Sequence, residues 1–124
     1  MLQEQRDARL AHHLLTVGSL PEALAILDGA PLRMWPRRAD HPGAFTAALG
    51  IGDVAWEPVL VDADRSRIPS ACWGLVERAS VLTAVPVPVQ LGPGDRVALC
   101  GPAADSVARS LVVQLAVASG PADW

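Results

Sequence analysis

The stretch that decides the fold is RVALCGPAADSVARSLVVQLA, which runs from Arg96 to Ala116. Its first part, Arg96–Cys100, ends in an apolar run that predicts a strand buried on both faces. Gly101 is expected to cap the following helix, and Pro102 suits the first helical position because its missing N–H has no partner there. Strand, glycine turn and helix come in this order around the phosphate-binding loop of an ATPase.

The residues of this turn do not fit a phosphate-binding loop. The pattern G-x-x-x-x-G-K-[ST] needs a second glycine, a lysine for the phosphates and a hydroxyl for Mg²⁺. When the pattern is set on Gly101, these three positions fall on Ser106, Val107 and Ala108. We therefore expect a plain strand–helix turn, with no bound nucleotide, cofactor or metal.

The composition is that of a globular protein. Of the 124 residues, 51% are hydrophobic and 19% are charged, which fits one domain or a small domain with an arm. The net charge of -3 argues against a dedicated DNA-binding surface, because such surfaces are usually basic. Two cysteines do not make a disulfide framework. A polar N-terminus and the lack of an apolar run of about 18 residues predict a cytoplasmic chain without a membrane span.

Two helices are predicted at the N-terminus, over residues 3–17 and from Leu20 to about Leu27. Between them, Ser19 and Glu22 match a capping box, in which each residue bonds the backbone N–H of the other. We expect the two helices to form a hairpin. The second helix is expected to bury three leucines: Leu20, Leu24 and Leu27.

The middle of the chain is predicted to be mostly β. AFTAALGIG alternates apolar residues and predicts a half-buried strand, and WEPVLV predicts a second short strand. A helix is expected over about residues 70–80. In VPVPV, Pro86 and Pro88 both remove the N–H that would point to one lateral edge, which predicts an edge strand or a hairpin arm. The alternating residues of the first strand are Phe45, Ala47, Leu49 and Ile51.

Together these elements predict an α/β (or α+β) fold, with an N-terminal helical hairpin, a short β middle and a C-terminal hairpin, strand, turn and helix. The second half of the last helix is apolar nearly all round, through Val113, Ala116 and Val117. No returning parallel strand follows it. We therefore expect a piece of a longer protein, which self-associates or holds these residues and Trp124 against its N-terminal hairpin.

Three arginines surround Trp35, namely Arg33, Arg37 and Arg38. One interpretation is a phosphate or nucleic-acid contact. The other is a structural clasp, in which the arginines stack on the indole and form ion pairs. The acidic net charge favours the clasp. The carboxylates expected as partners are Asp40 and Asp53.

Metal-binding patterns are weak. His12 and His13 are adjacent, so they lie about 100° apart on a helix and are expected at the surface. DADRS, residues 62–66, begins like a calcium loop but lacks its glycine and closing glutamate, which predicts a solvated turn. We assign no catalytic residue.

Three stretches resemble the FtsK/SpoIIIE-type ATPases of actinobacteria, including the EccC motor of type VII secretion. LCGPAADSVARSLVVQLAVASGPAD resembles a family segment through Gly101, Pro102, Ala108, Arg109, Leu111, Gln114, Leu115, Ala116 and Pro121. RMWPRRADHPGAFTAALGIGDVAWEP resembles another through Trp35, Arg37, Arg38, Pro42, Phe45, Leu49, Gly50, Gly52, Asp53 and Trp56. VPVPVQL resembles the strand before the degenerate loop. Departures from the pattern occur at Thr46, Ala48, Val54 and Ala55.

The sequence pattern predicts that residues 1–29 are a helical hairpin arm, and the resemblance implies that residues 30–124 are part of a degenerate ATPase-like domain. In the family, this segment lies between the membrane anchor and the active motor modules and does not hydrolyse nucleotide. Neighbouring modules of the same motor, or a second copy, are the implied partners. The parent protein would lie at the inner face of the plasma membrane. The alternatives are a stand-alone nucleotide-binding or ATPase domain and a small nucleic-acid-binding module using Arg33–Arg38.

Overall fold

The structure, a computed structural model, describes residues 1–29, 34–59 and 69–124. Within these residues the chain forms four α-helices, two β-strands and one short 3-10 helix. In chain order they are α1 (Leu2–Thr16), α2 (Leu20–Asp28), β1 (Thr46–Ala55), α3 (Ser70–Ala79), β2 (Val81–Gln90), α4 (Ala104–Ala118) and the 3-10 helix (Pro121–Asp123). The expected mixture of helix and strand and the N-terminal helical hairpin are confirmed.

The hairpin is open, because the chain bends by 53° between α1 and α2. α1 packs on α3 and β2, whereas α2 packs on α4. Ser19 caps α2 as predicted, and its Oγ accepts the N–H of Glu22 at 3.3 Å. The second hydrogen bond predicted for the capping box, from the N–H of Ser19 to the Glu22 carboxylate, is not formed. That carboxylate pairs with Arg37 instead.

The buried side of α2 is not the predicted one. Leu24 and Leu27 are about half exposed, whereas Ala23 is buried. Ala23 lines a small cavity together with Val117 and Ala118 of α4. The distance between two packed helices depends on the size of the side chains at the contact, so the small Ala23 allows a close approach. The spacing of the leucines therefore pointed to the wrong face.

β1 and β2 form an antiparallel pair. Ala47 lies opposite Val89 and Ala48 lies opposite Pro88. A β-bulge between Ala48 and Ile51 then interrupts the alternation of the two faces. As a result Ala47 and Ala48 are buried in succession, while Ile51 is 67% exposed. The strand predicted at AFTAALGIG is confirmed, but its predicted buried face is wrong after Ala47.

The prolines of β2 determine which of its edges can pair. The N–H groups of alternate strand residues point to the same edge, and Pro86 and Pro88 contribute none to theirs. The opposite edge pairs with β1, and this pairing continues past the strand, where the N–H of Leu91 donates to the carbonyl of Phe45 at 2.8 Å. The expected edge strand is therefore confirmed.

Two buried side chains cover the outer edges of this β-ribbon. The Gln114 amide pairs with the backbone of Ala48, accepting its N–H at 2.9 Å and donating to its carbonyl at 3.0 Å. On the other edge, Nε2 of His13 donates to the carbonyl of Pro86 at 2.7 Å. Gln114 and His13 are each only 4% exposed. The surface position predicted for His13 is therefore wrong, because His13 bonds the edge from which the prolines remove the N–H groups.

Two predicted strands are not found in the described residues. After Ala55, which pairs with Val81, the N–H of Trp56 still donates to the carbonyl of Ser80 opposite it, but the described start of WEPVLV, Trp56–Val59, forms no strand of its own. The rest of that segment lies outside the described residues. Arg96–Cys100 is not a strand either, and Val97 is half exposed. The edges where this segment would pair are covered by Gln114 and His13 at the points described above. Its apolar run therefore forms no strand, and within it only Leu99 is partly buried.

α4 contributes more buried apolar residues to the core than any other described element. Ala47 of β1 is fully buried against Leu111 and Leu115, and four partly buried residues pack around them: Val89, Leu91, Leu99 and Val107. The predicted apolar stripe of the last helix is confirmed at Leu111 and Leu115. Its predicted start is wrong, because the N-cap is Ala103 and Gly101 lies earlier in a turn.

The edge bonds give the first prediction. Gln114→Met keeps the length of the side chain but leaves the N–H and carbonyl of Ala48 buried without partners. This should lower the free energy of unfolding by about 2–4 kcal/mol. Urea unfolding followed by tryptophan fluorescence measures the change. Gln90→Met, at an exposed position at the end of β2, is the control and should change stability little; equal losses in the two variants would contradict the assigned role of Gln114.

Candidate functional site

The Gly101 turn is built for packing. Gly101 has a φ of 111°, and its carbonyl accepts the N–H of Ala104 at 3.1 Å. Ser106 is exposed, whereas Val107 and Ala108 are partly buried and Val107 packs on the core. The residues at the lysine and hydroxyl positions of a phosphate loop therefore face the interior and not a ligand.

The charge at the start of α4 also opposes an anion. Asp105 lies in the first turn of the helix and pairs with Arg109, four residues later, at 2.9 Å. A helix N-terminus attracts anions through its unpaired N–H groups, and a carboxylate already placed there satisfies that preference. No side chain of this turn supplies a positive charge directed at a phosphate.

A different set of polar contacts gathers at the other end of α4. The last carbonyls of a helix lack partners within the helix. Here the N–H of Trp35 donates to the carbonyl of Val117 at 2.8 Å, and the N–H of Arg37 donates to that of Ala118 at 2.9 Å. Trp35 has a φ of 61°, a left-handed conformation that costs energy for a bulky residue and persists only where its surroundings hold it. We call Trp35, Arg37 and Arg38 the clasp.

Arg37 is the centre of the clasp and is only 6% exposed. Its Nη2 lies 3.2 Å from the Glu22 carboxylate on α2, and its Nη1 donates to the carbonyl of Thr46 on β1 at 3.4 Å. Gly18, in the turn between α1 and α2, leaves room for the guanidinium, because a Cβ on that residue would collide with it. One residue therefore joins three elements: its side chain contacts α2 and the start of β1, and its backbone N–H contacts the end of α4.

Arg38 extends these contacts to the C-terminal 3-10 helix. Its Nε lies 2.9 Å from the Asp123 carboxylate, which also accepts the N–H of Gly120 at 3.0 Å. The predicted partners, Asp40 and Asp53, are wrong. The Asp53 carboxylate instead accepts the N–H of Ala84 at 3.2 Å, in the bulge of β2.

The clasp borders an apolar surface. Trp35 is 40% exposed and, with Trp124, lines a shallow groove. The Trp124 ring meets Phe45 edge-on, with ring centroids 5.1 Å apart. Of the helix residues expected to be covered, Val117 is buried towards α2, whereas Ala116 is exposed. Arg33, the third predicted member of the cluster, lies outside the described residues, as does the DADRS segment.

Among the described residues, no group of three or more histidine, cysteine or acidic side chains could hold a metal ion. Within the same part of the chain, no single helix is long and apolar enough to cross a bilayer, although the bent pair of α1 and α2 passes on length and composition together.

No protein-family model, curated protein or solved structure matches this chain. Its function is therefore argued from its own residues. Sequence patterns did not predict that Gln114 bonds the backbone of β1, or that Glu22 and Asp123 pair with the arginines of the clasp. A signal existed for Gln114, because it is a polar residue next to the apolar stripe formed by Leu111 and Leu115. No comparable signal pointed to the two carboxylates.

The clasp predicts unequal roles for its two arginines. Arg37→Met should lower the free energy of unfolding by about 1.5–3 kcal/mol, because a buried guanidinium loses its bonds to Glu22 and Thr46. Arg38→Met removes an ion pair whose arginine is 56% exposed, and should cost at most about 1 kcal/mol. Chemical unfolding of the two variants measures the difference. A larger loss for Arg38→Met would show that the clasp does not centre on Arg37.

Proposed function

We propose that this chain is a non-catalytic structural or regulatory module of an FtsK/SpoIIIE-like motor, of the kind represented by EccC in type VII secretion. The parent protein would be an ATPase at the inner face of the plasma membrane that moves protein or DNA. This module would contribute packing and mechanical coupling between its neighbours. The resemblance of the three sequence stretches is the reason for naming this family.

The observation that carries the proposal is the state of the Gly101 turn. Where an active module would present a lysine and a hydroxyl, this chain uses Val107 and Ala108 for packing. The adjacent Asp105 adds a negative charge at the place where a phosphate would lie. This arrangement supports the proposal that the domain has the helix of a motor module but lacks the residues that bind and hydrolyse nucleotide.

The clasp supports a coupling role. Arg37 bonds α2 and β1 through its buried guanidinium and α4 through its backbone N–H. These elements would therefore move as one body, because displacing any of them breaks a bond to the same residue. A displacement applied to the N-terminal hairpin would pass through Glu22 and Arg37 to the end of α4. The module would in this way relay motion between the parts of the protein on either side of it.

The alternatives receive less support. A nucleic-acid contact through the arginine cluster needs free guanidinium groups, but Arg37 is buried and Arg38 is paired with Asp123. An independent ATPase needs phosphate ligands elsewhere in the chain, and neither the Gly101 turn nor the clasp provides them.

The proposal predicts that the chain does not bind ATP. Isothermal titration of the chain with ATP and Mg²⁺ should give no saturable heat, because Val107 and Ala108 supply neither charge nor a metal ligand. A parallel titration without Mg²⁺ separates metal-dependent binding from weak anion binding. Micromolar, Mg²⁺-dependent affinity would overturn the non-catalytic assignment.

The motor assignment has its own test. The coding sequence on both sides of this chain should encode apolar membrane spans upstream and a complete phosphate-binding loop with GK[ST] downstream. If the flanking sequence encodes neither, the chain is not a module of such a motor, whatever its affinity for ATP.

A further inference from the structure

A groove runs between α1 and α3, on a part of the surface away from the clasp. Its volume is about 390 Å³, within the range of about 300–1,000 Å³ typical of ligand sites. Its described lining consists of Leu2, Gln3, Arg6, Leu75, Arg78 and Ala79. Each helix thus contributes one arginine and at least one apolar side chain.

The two arginines of the groove have no ionic partner among the described residues. Arg37, Arg38 and Arg109 form ion pairs, whereas Arg6 and Arg78, like Arg9 and Arg96, form none with any described residue. The described residues of the lining include two positive charges and no carboxylate, in a chain whose net charge is -3.

Three described acidic groups lie on the same two helices. On α1, Glu4 lies 3.8 Å from the terminal ammonium, and Asp7 accepts a hydrogen bond from the lining residue Gln3 at 2.8 Å. On α3, Glu77 is exposed and lies outside the described lining. None of the three forms an ion pair with Arg6 or Arg78.

The rest of the lining is apolar. Leu75 is more than half exposed, and Leu2 and Ala79 are partly exposed. A ligand that paired only its charges would leave this surface in water. The best complement is an anion that also carries an apolar group.

We propose that this groove binds an acidic segment of a partner protein. Two carboxylates of the segment pair with Arg6 and Arg78, and an apolar side chain between them packs on Leu2 and Leu75. Arginine guanidiniums bind carboxylates through two parallel hydrogen bonds, which fixes the direction of the segment.

Shape and charge favour a peptide over a membrane or a nucleic acid. A narrow chain can enter the groove and meet the arginines alone. A flat anionic bilayer or a phosphate backbone would also approach Glu4, Asp7 and Glu77, which lie on the same two helices outside the described lining. The proposal is independent of the clasp and of the motor assignment.

The test measures the binding of a labelled peptide, Glu-Leu-Leu-Glu repeated three times, by fluorescence anisotropy with the whole chain. A peptide with glutamine at every glutamate position is the uncharged control. Arg6→Gln and Arg78→Gln should each weaken binding about tenfold, the change expected for the loss of one charged hydrogen-bonded contact. Arg9→Gln, on α1 but outside the groove, should leave the affinity within about twofold of the parent chain.

Circular dichroism melts of the three variants show whether each remains folded, and Leu75→Ser tests the apolar contact without changing charge. Tight binding of the glutamine peptide, or an equal loss in Arg9→Gln, would refute the proposal. So would the absence of peptide binding by the folded parent chain. If phosphatidylserine vesicles bind in an Arg6- and Arg78-dependent way and the peptide does not, the groove recognises a membrane and the proposal is wrong.

Discussion

The structure depends on the amide of Gln114 bonding both backbone groups of Ala48. A two-stranded ribbon is marginal by itself, and its unpaired edges must be covered. Gln114 behaves as a short piece of a neighbouring strand, because its amide offers the same donor and acceptor as a peptide group. His13 has a similar role on the opposite edge, where it bonds the carbonyl of Pro86. The ribbon is thus held between two helices by buried polar bonds as well as by apolar contact.

This arrangement explains why both ends of α4 are specialised. Its middle covers the ribbon through Gln114, Leu111 and Leu115. Its C-terminal carbonyls bond the clasp, whose Arg37 reaches α2 and β1. Its N-terminal turn is the place where a motor module would bind phosphate. In this chain that turn is followed by a packing residue and carries an exposed ion pair. The helix therefore contacts both α2 and β1, and the clasp bonds its last carbonyls.

Local sequence patterns predicted which elements form better than they predicted which residues those elements contact. The Ser19 cap, the proline-bearing strand and the apolar stripe of α4 depend on residues close in sequence, so propensity and periodicity were sufficient. The bond between Gln114 and Ala48 joins residues 66 positions apart, and the bulge after Ala48 depends on how β1 pairs with β2. No periodicity reports such contacts. Arg96–Cys100 shows the limit most clearly, because an apolar run predicts a strand only where an open edge exists to receive it. The clasp was predicted as a cluster, but its carboxylates come from α2 and from the last residues of the chain.

The central claim is that Gln114 closes the edge of β1 at Ala48. Native-state hydrogen exchange of the Ala48 amide tests it most directly, because that N–H is bonded by a side chain and not by a strand. The account predicts that this amide exchanges only through global unfolding, with protection equal to that of the β1 amides bonded to β2. Rapid exchange at Ala48 while those other β1 amides stay protected would contradict it.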